Sequence, residues 1–124
     1  MDYKKQIKKW LFITISLLLI EGCSSKPDIY MMQIDVASKK ANGQDWDMMG
    51  NAPDIQVSVD KYPLSLQTSC KDTYRCKQGF SSIKNKWYIE VYDKDLGGDD
   101  LIGKGDCEEG EECNLGLAKV LITD

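Results

Sequence analysis

The stretch WYIEVY at residues 87–92 carries the clearest strand pattern in the chain and decides the fold class. Trp87, Ile89 and Val91 would lie on one face of an extended segment, with the two tyrosines and the glutamate between them on the other. Aromatic and β-branched side chains also favour strands. The stretch therefore predicts a strand that buries one face in a hydrophobic core.

Several other short stretches have the same alternation or a β-branched composition, and turn residues separate them. They lie at residues 29–37, 55–59, 64–68, 101–105 and 119–123, with a short strand near 80–83 in the otherwise irregular segment 70–86. After the first 22 residues, no segment has the 3.6-residue period of an amphipathic helix. The pattern predicts an all-β fold in residues 29–124, an antiparallel β-sandwich of about eight strands.

Residues 1–22 have the parts of a cleaved signal peptide. A basic segment at residues 4–9 precedes 11 apolar residues, which are too few to span a membrane as a helix. The tetrapeptide Ile-Glu-Gly-Cys at residues 20–23 resembles the lipobox of bacterial lipoproteins, with Glu21 in place of the small residue usual there. The resemblance implies cleavage before Cys23, a diacylglycerol on its sulfur and an acyl chain such as palmitate on its amine. An ordinary signal peptide cut nearby and an uncleaved anchor are the alternatives.

Residues 23–28 would form a short tether between the lipid anchor and the domain. Ser24 follows the cysteine. In Gram-negative lipoproteins an aspartate at that position marks retention in the inner membrane. The resemblance therefore places this protein in the cell envelope, at the outer membrane rather than the inner.

The mature chain is acidic. The full sequence has 16 basic and 20 acidic residues, and cleavage removes four lysines and two carboxylates, so the net charge changes from −4 to −6. This charge disfavours nucleic acid as a partner and suits a cation. The sequence has no histidine, no GxSxG motif and no glycine-rich phosphate loop, so we expect no enzyme. A hydrolase that used paired carboxylates would need a pocket beside them.

Four cysteines follow Cys23, in two pairs with the same C-x5-C spacing. In an exported domain an even number of cysteines predicts disulfides. The spacing favours two local bridges, Cys70–Cys76 and Cys107–Cys113. A crossed pairing between neighbouring strands and a zinc site of four thiolates are the alternatives.

Two aspartate-rich loops carry the residues best suited to chemistry. The first, DWDMMGNAPD at residues 45–54, precedes one predicted strand, and the second, DKDLGGDD at residues 93–100, follows another. With the Asp-Asp-Leu-Ile-Gly run at residues 99–103, these loops resemble the first and third loops of C2 domains, which are β-sandwiches that bind calcium and phospholipid. The resemblance implies five calcium ligands: Asp47, Asp54, Asp93, Asp95 and Asp100.

Elementary chemistry supports a cation site at the same residues. Asp93 and Asp95 are two positions apart, so they would lie on the same side of an extended chain. Converging carboxylates repel one another unless a cation lies among them, and calcium takes six to eight oxygen ligands. Gly97 and Gly98 permit a sharp reversal of the backbone. The alternative is that these aspartates and glycines are solvent-exposed turn residues.

Met48, Met49 and Leu96 occupy the expected loop tips. The resemblance implies that these apolar side chains dip into a bilayer once calcium bridges the loop and a phospholipid head group. Packing of the methionines beneath their loop is the alternative. The sequence thus predicts a non-catalytic lipoprotein, held in the membrane by its lipid, whose loops bind calcium and dock on a membrane or an envelope protein. A calcium-independent structural or secretion-accessory lipoprotein with the same sandwich is the alternative function.

Overall fold

The computed structural model describes residues 26–46, 50–95 and 98–124. The signal peptide and five residues with predicted roles lie outside the described residues; they are Cys23, Asp47, Met48, Met49 and Leu96. Among the described residues, no helix is long and apolar enough to cross a membrane.

The described chain forms eight strands and one short 3₁₀ turn, Thr68–Cys70. The strands are β1 Asp28–Val36, β2 Ile55–Val59, β3 Tyr62–Pro63, β4 Arg75–Ser82, β5 Lys86–Asp95, β6 Gly98–Glu108, β7 Cys113–Leu115 and β8 Ala118–Thr123. They make two four-stranded antiparallel sheets, with strand orders β4-β1-β8-β7 and β3-β2-β5-β6. The predicted all-β sandwich of about eight strands is confirmed.

A single hydrophobic core lies between the two sheets. Alternate residues of each long strand enter it, including Met32 and Ile34 from β1 and Ile89 and Val91 from β5, all fully buried. Trp87, also buried, packs edge-on against Tyr30 with ring centroids 4.8 Å apart. Trp87, Ile89 and Val91 therefore face the core as predicted, although Glu90 between them is also buried.

Strand β1 runs the length of the sandwich. At the start of the strand, Asp28 pairs with Ser82. At its end, the Val36 amide donates a hydrogen bond to the Tyr74 carbonyl, 2.7 Å away. The end of the sandwich that receives residues 26–27 is therefore opposite the end where β1 finishes.

Gly103 permits a close approach between the two sheets. A Cβ atom at this position would lie 1.6 Å from the carbonyl oxygen of Leu115 in β7. Just before it, β6 has a bulge, because the register with β5 shifts between Val91 and Tyr92. Only glycine allows this contact, which ties the edge of one sheet to the other.

The strand predicted at residues 64–68 is wrong. Pro63 belongs to the two-residue strand β3, and the chain then leaves the sheet, because β3 and β4 lie at edges of different sheets and residues 64–74 must cross between them. Strand β4 is longer than the short strand predicted near residues 80–83. The sequence pattern underestimates β4 because the strand is polar. It lies at the edge of its sheet, and two of the residues that it buries are Cys76 and Gln78 rather than aliphatic ones.

Both disulfides are local, as predicted. Cys70 is bonded to Cys76 and Cys107 to Cys113, with Cα atoms 5.1 and 5.6 Å apart. The crossed pairing and the four-thiolate zinc site are therefore wrong.

Candidate metal centre

The acidic residues meet at the end of the sandwich where β2 begins and where β5 passes into β6. In the antiparallel ladder Asp93 lies opposite Ile55 on one side and opposite Asp100 on the other. The segment predicted as an acidic loop, residues 93–100, is mostly strand, because β5 continues to Asp95 and β6 begins at Gly98. Strand pairing, rather than a long loop, therefore holds these aspartates in place.

Three carboxylates converge at this hairpin. Asp93, Asp95 and Asp100 each offer an oxygen, and the three oxygens lie within 4.8 Å of one another. Asp93 and Asp95 share one face of β5 because they are two residues apart, and Asp100 faces them from β6. Asp93 is buried, whereas the other two are exposed. The cluster is therefore open to solvent on one side and enclosed by protein on the other.

Asp93 is the most constrained member of the cluster, with only 2% of its surface exposed. Its Oδ1 accepts a hydrogen bond from the main-chain amide of Asp54, 3.1 Å away. Its Oδ2 is buried and has no hydrogen-bond partner among the described residues. Burial raises the pKa of Asp93 to about 6; the bond from Asp54 opposes this shift, and the charges of Asp95, Asp54 and Asp100 add to it.

An open cavity of about 200 Å³ adjoins the cluster. It is lined by Asn51, Ala52, Asp54, Asp72, Asp93 and Asp95. Asp54 immediately precedes β2, and its carbonyl accepts from the amide of Lys94, 2.9 Å away, so it is joined to β5 through the main chain. Nearly all of the lining is polar, which suits a small hydrated ion rather than an apolar ligand.

Asp72 is a member of the site that sequence reasoning missed. It lies in the loop closed by the Cys70–Cys76 bridge, and its amide donates to Asp54 Oδ1, 2.7 Å away. The sequence offered one signal for it, an aspartate between two cysteines that were predicted to form a disulfide. Its place beside Asp54 depends on the path of the crossover from β3 to β4, which the sequence pattern does not predict.

Lys40 provides a positive charge at the edge of the cluster. Its Nζ lies 3.2 Å from Asp100 Oδ2. The same ammonium lies 6.0 Å from the ring centroid of Trp46. Trp46 is buried, and its indole N–H donates to the Ala37 carbonyl, 2.7 Å away, so its role is packing. A basic side chain therefore already shields one of the three carboxylates.

The structure thus brings together four of the five predicted ligands. Asp93, Asp95 and Asp100 form the cluster, Asp54 lines the adjoining cavity, and Asp47 lies outside the described residues. The available ligand atoms are all carboxylate oxygens, and a buried one, Asp93 Oδ2, has no hydrogen-bond partner within the part of the chain that the structure describes. This arrangement could hold a hard cation.

No protein-family model matches this sequence. No curated protein matches it either. The structure is similar to a solved structure described as "Structure of a C2 domain", with 17% sequence identity and a TM-score of 0.47, covering 78% of this chain and 94% of that chain. At this level the similarity concerns the fold alone and says nothing of ligands.

Proposed function

We propose that this protein is a lipid-anchored envelope protein that binds calcium at the acidic end of its sandwich and uses that end, without catalysis, to dock on a partner. The observation that carries the proposal is Asp93 Oδ2, a buried carboxylate oxygen with no partner among the described residues. Burying an unpaired charge is costly, and a cation supplies the missing partner.

The composition of the site favours calcium over other common ions. Its donors are carboxylates, and calcium prefers oxygen ligands in flexible, exposed arrangements. Magnesium requires a tighter octahedral cage and releases its water reluctantly. Zinc prefers histidine and thiolate, but the chain has no histidine and the four described cysteines are bonded in pairs.

The position of the site at one tip of the domain supports a docking role. A calcium ion held there would have room for further ligands on its solvent side, because Asp95 and Asp100 are exposed. Oxygen atoms of a phospholipid head group or of an acidic protein segment could complete its shell. Met48, Met49 and Leu96, the predicted contact residues, flank the described parts of the site in sequence.

Anchoring is the second part of the proposal. The apolar run at residues 10–20 and the Cys at position 23 support a lipid on Cys23. Several acyl chains on one cysteine would hold the protein durably in a bilayer, at about 0.8 kcal/mol per buried methylene.

The Lys40–Asp100 contact favours a second candidate function, a calcium-independent interaction module. A lysine near the cluster partly neutralises it without any metal. In that case the sandwich would serve as a structural or secretion-accessory lipoprotein, and the acidic end would be an ordinary solvated surface.

Calorimetric titration of calcium chloride into the chelator-treated full chain, in a non-ionic detergent, separates the two functions. We expect a dissociation constant of about 10⁻⁴–10⁻³ M, the range of extracellular calcium modules. The variant D93N/D95N should lose binding. The control D28N/D106N removes two exposed carboxylates far from the site and should bind as the unaltered protein does. Absence of heat from the unaltered protein, with no rise in its melting temperature, would reject calcium and favour the second candidate.

A further inference from the structure

The loop between Cys70 and Cys76, called here the disulfide loop, lies directly against the segment that carries Asp54. Its residue Asp72 lines the cavity beside the carboxylate cluster. The bridge closes the loop covalently, and both of its cysteines are buried. A short cross-linked loop is thus built into one wall of the candidate cation site.

Three hydrogen bonds join the disulfide loop to residues 52–54. The Asp72 amide donates to Asp54 Oδ1 at 2.7 Å. The Ala52 amide donates to Asp72 Oδ1 at 3.0 Å, and the Thr73 amide donates to the Pro53 carbonyl, also at 3.0 Å. Residues 50–54 lie outside the strands. Asp54 bonds to Lys94 and Asp93 of β5, and the three bonds from the disulfide loop hold this segment from another side.

The backbone conformation of Asp72 lets it bond to residues 52–54 through both its amide and its carboxylate. Its φ of +49° lies in the left-handed region, which L residues other than asparagine, aspartate and glycine seldom adopt. In that conformation its amide points to Asp54 while its carboxylate receives the Ala52 amide. The bridge, with its Cα atoms 5.1 Å apart, reduces the number of conformations open to the loop.

We propose that the disulfide loop is a positioning element of the cation site, in which Asp72 holds one carboxylate oxygen of Asp54 and leaves the other for the ion. Asp72 acts through Asp54, and the Cys70–Cys76 bridge keeps Asp72 where it can do so. This inference rests on the proposed function, since it concerns affinity for the same cation. It assigns the two bridges of the chain different roles.

The second bridge provides a matched control. Cys107–Cys113 closes a loop with the same sequence separation of six residues. Cys107 lies opposite Trp87 in the β5–β6 ladder, whereas the site lies where Asp93 faces Asp100. Six residues of strand separate the two positions, a distance of about 20 Å. Removing this bridge loosens the fold without touching the site.

The experiment titrates calcium chloride into the full chain and into the variants C70A/C76A and C107A/C113A, in the same non-ionic detergent. Loss of the first bridge should raise the calcium dissociation constant roughly tenfold or more, as loss of outer-shell support commonly does. Loss of the second should change it by less than about twofold, although both variants will melt at lower temperature. Equal weakening in both variants, or none in C70A/C76A, would overturn the inference while leaving calcium binding intact.

Two single variants test Asp72 without disturbing either bridge. D72N keeps the main-chain amide, a side-chain oxygen acceptor and a tolerance for positive φ, so its calcium affinity should stay within about threefold of the unaltered protein. D72A keeps the amide but loses the bond from Ala52 and strains the loop, so it should weaken binding as C70A/C76A does. A D72N variant as weak as D72A would show that the charge of Asp72 acts as a ligand, which contradicts a positioning role. No binding by the unaltered protein would overturn the proposed function and this inference together.

Discussion

Replacing Asp93 by asparagine tests how burial of this carboxylate affects stability in the absence of metal. In the folded protein burial raises the pKa of Asp93 to about 6, from an ordinary value of 3.8. The unfolded chain therefore releases this proton more readily than the folded one. The stability contributed by the protonated carboxyl is fully present below pH 3.8 and is lost as the pH rises through 6.

The size of the effect follows from the two pKa values. A difference of about two pKa units corresponds to about 3 kcal/mol in full, and to about 2.5 kcal/mol between pH 4 and pH 7. Other groups titrate in the opposite sense, because ion pairs and hydrogen bonds lower the pKa of Asp35, Asp60 and Glu90. The informative quantity is therefore the difference in unfolding free energy between the unaltered protein and D93N at each pH.

Urea denaturation of both proteins with chelator, from pH 4 to pH 7, measures this difference. We expect the unaltered protein to lose about 2.5 kcal/mol relative to D93N over that range. Saturating calcium should abolish or reverse the trend, because the ion stabilises the ionised carboxylate. The exposed variant D106N is the control and should follow the unaltered protein at every pH. Parallel curves for the unaltered protein and D93N would refute the argument, since Asp93 would then ionise equally easily in both states.

Three further predictions concern other parts of the chain. Removing the ammonium in K40Q should tighten calcium binding about two- to fivefold in calorimetry, because Lys40 and the ion compete for Asp100; unchanged or weaker binding would show no such competition. G103A should lower the unfolding free energy by at least about 3 kcal/mol in urea, because backbone atoms block the new methyl group, whereas G79A meets only an ordinary 3.6 Å contact and should cost far less. Similar losses in the two glycine variants would contradict the close approach described between the sheets. C23S should move the protein out of the detergent phase of a two-phase separation, and unchanged partitioning would reject lipid on that residue.

Hydrophobic alternation was enough to predict most of the sandwich. The strands predicted at 29–37, 55–59 and 119–123 match the observed strands to within a residue at each end, because their buried faces are made of apolar side chains. The edge strand β4 was underestimated, because it buries a cysteine and a glutamine where other strands bury isoleucine or valine. An edge strand pairs on one side only, and its sequence carries a weaker signal.

The carboxylate cluster was predictable because its members belong to one hairpin. Asp93 and Asp95 are on one face of β5 because side chains alternate along a strand, and antiparallel pairing brings Asp100 opposite Asp93. Asp72 was not predictable, because its contact with Asp54 joins two segments outside the strands, one before β2 and one before β4, and these two strands belong to different sheets. The local period of a strand determines which residues share a face. It does not determine the path of the segment that crosses from one sheet to the other.

The direction of β1 limits what the acidic end can reach. If Cys23 carries lipid, only residues 23–27 of the tether lie between the bilayer and β1, because the strand already begins at Asp28. Five residues span at most about 18 Å. Strand β1 has nine residues and is about 30 Å long, and the carboxylate cluster lies beyond its far end. For the acidic tip to touch the leaflet that holds the lipid, the start of β1 would have to lie about 30 Å from that leaflet, which is farther than the tether reaches. The tip therefore cannot point into that leaflet. Upright on its anchor, the domain would project its cation site into the aqueous space, toward molecules that approach from outside that membrane.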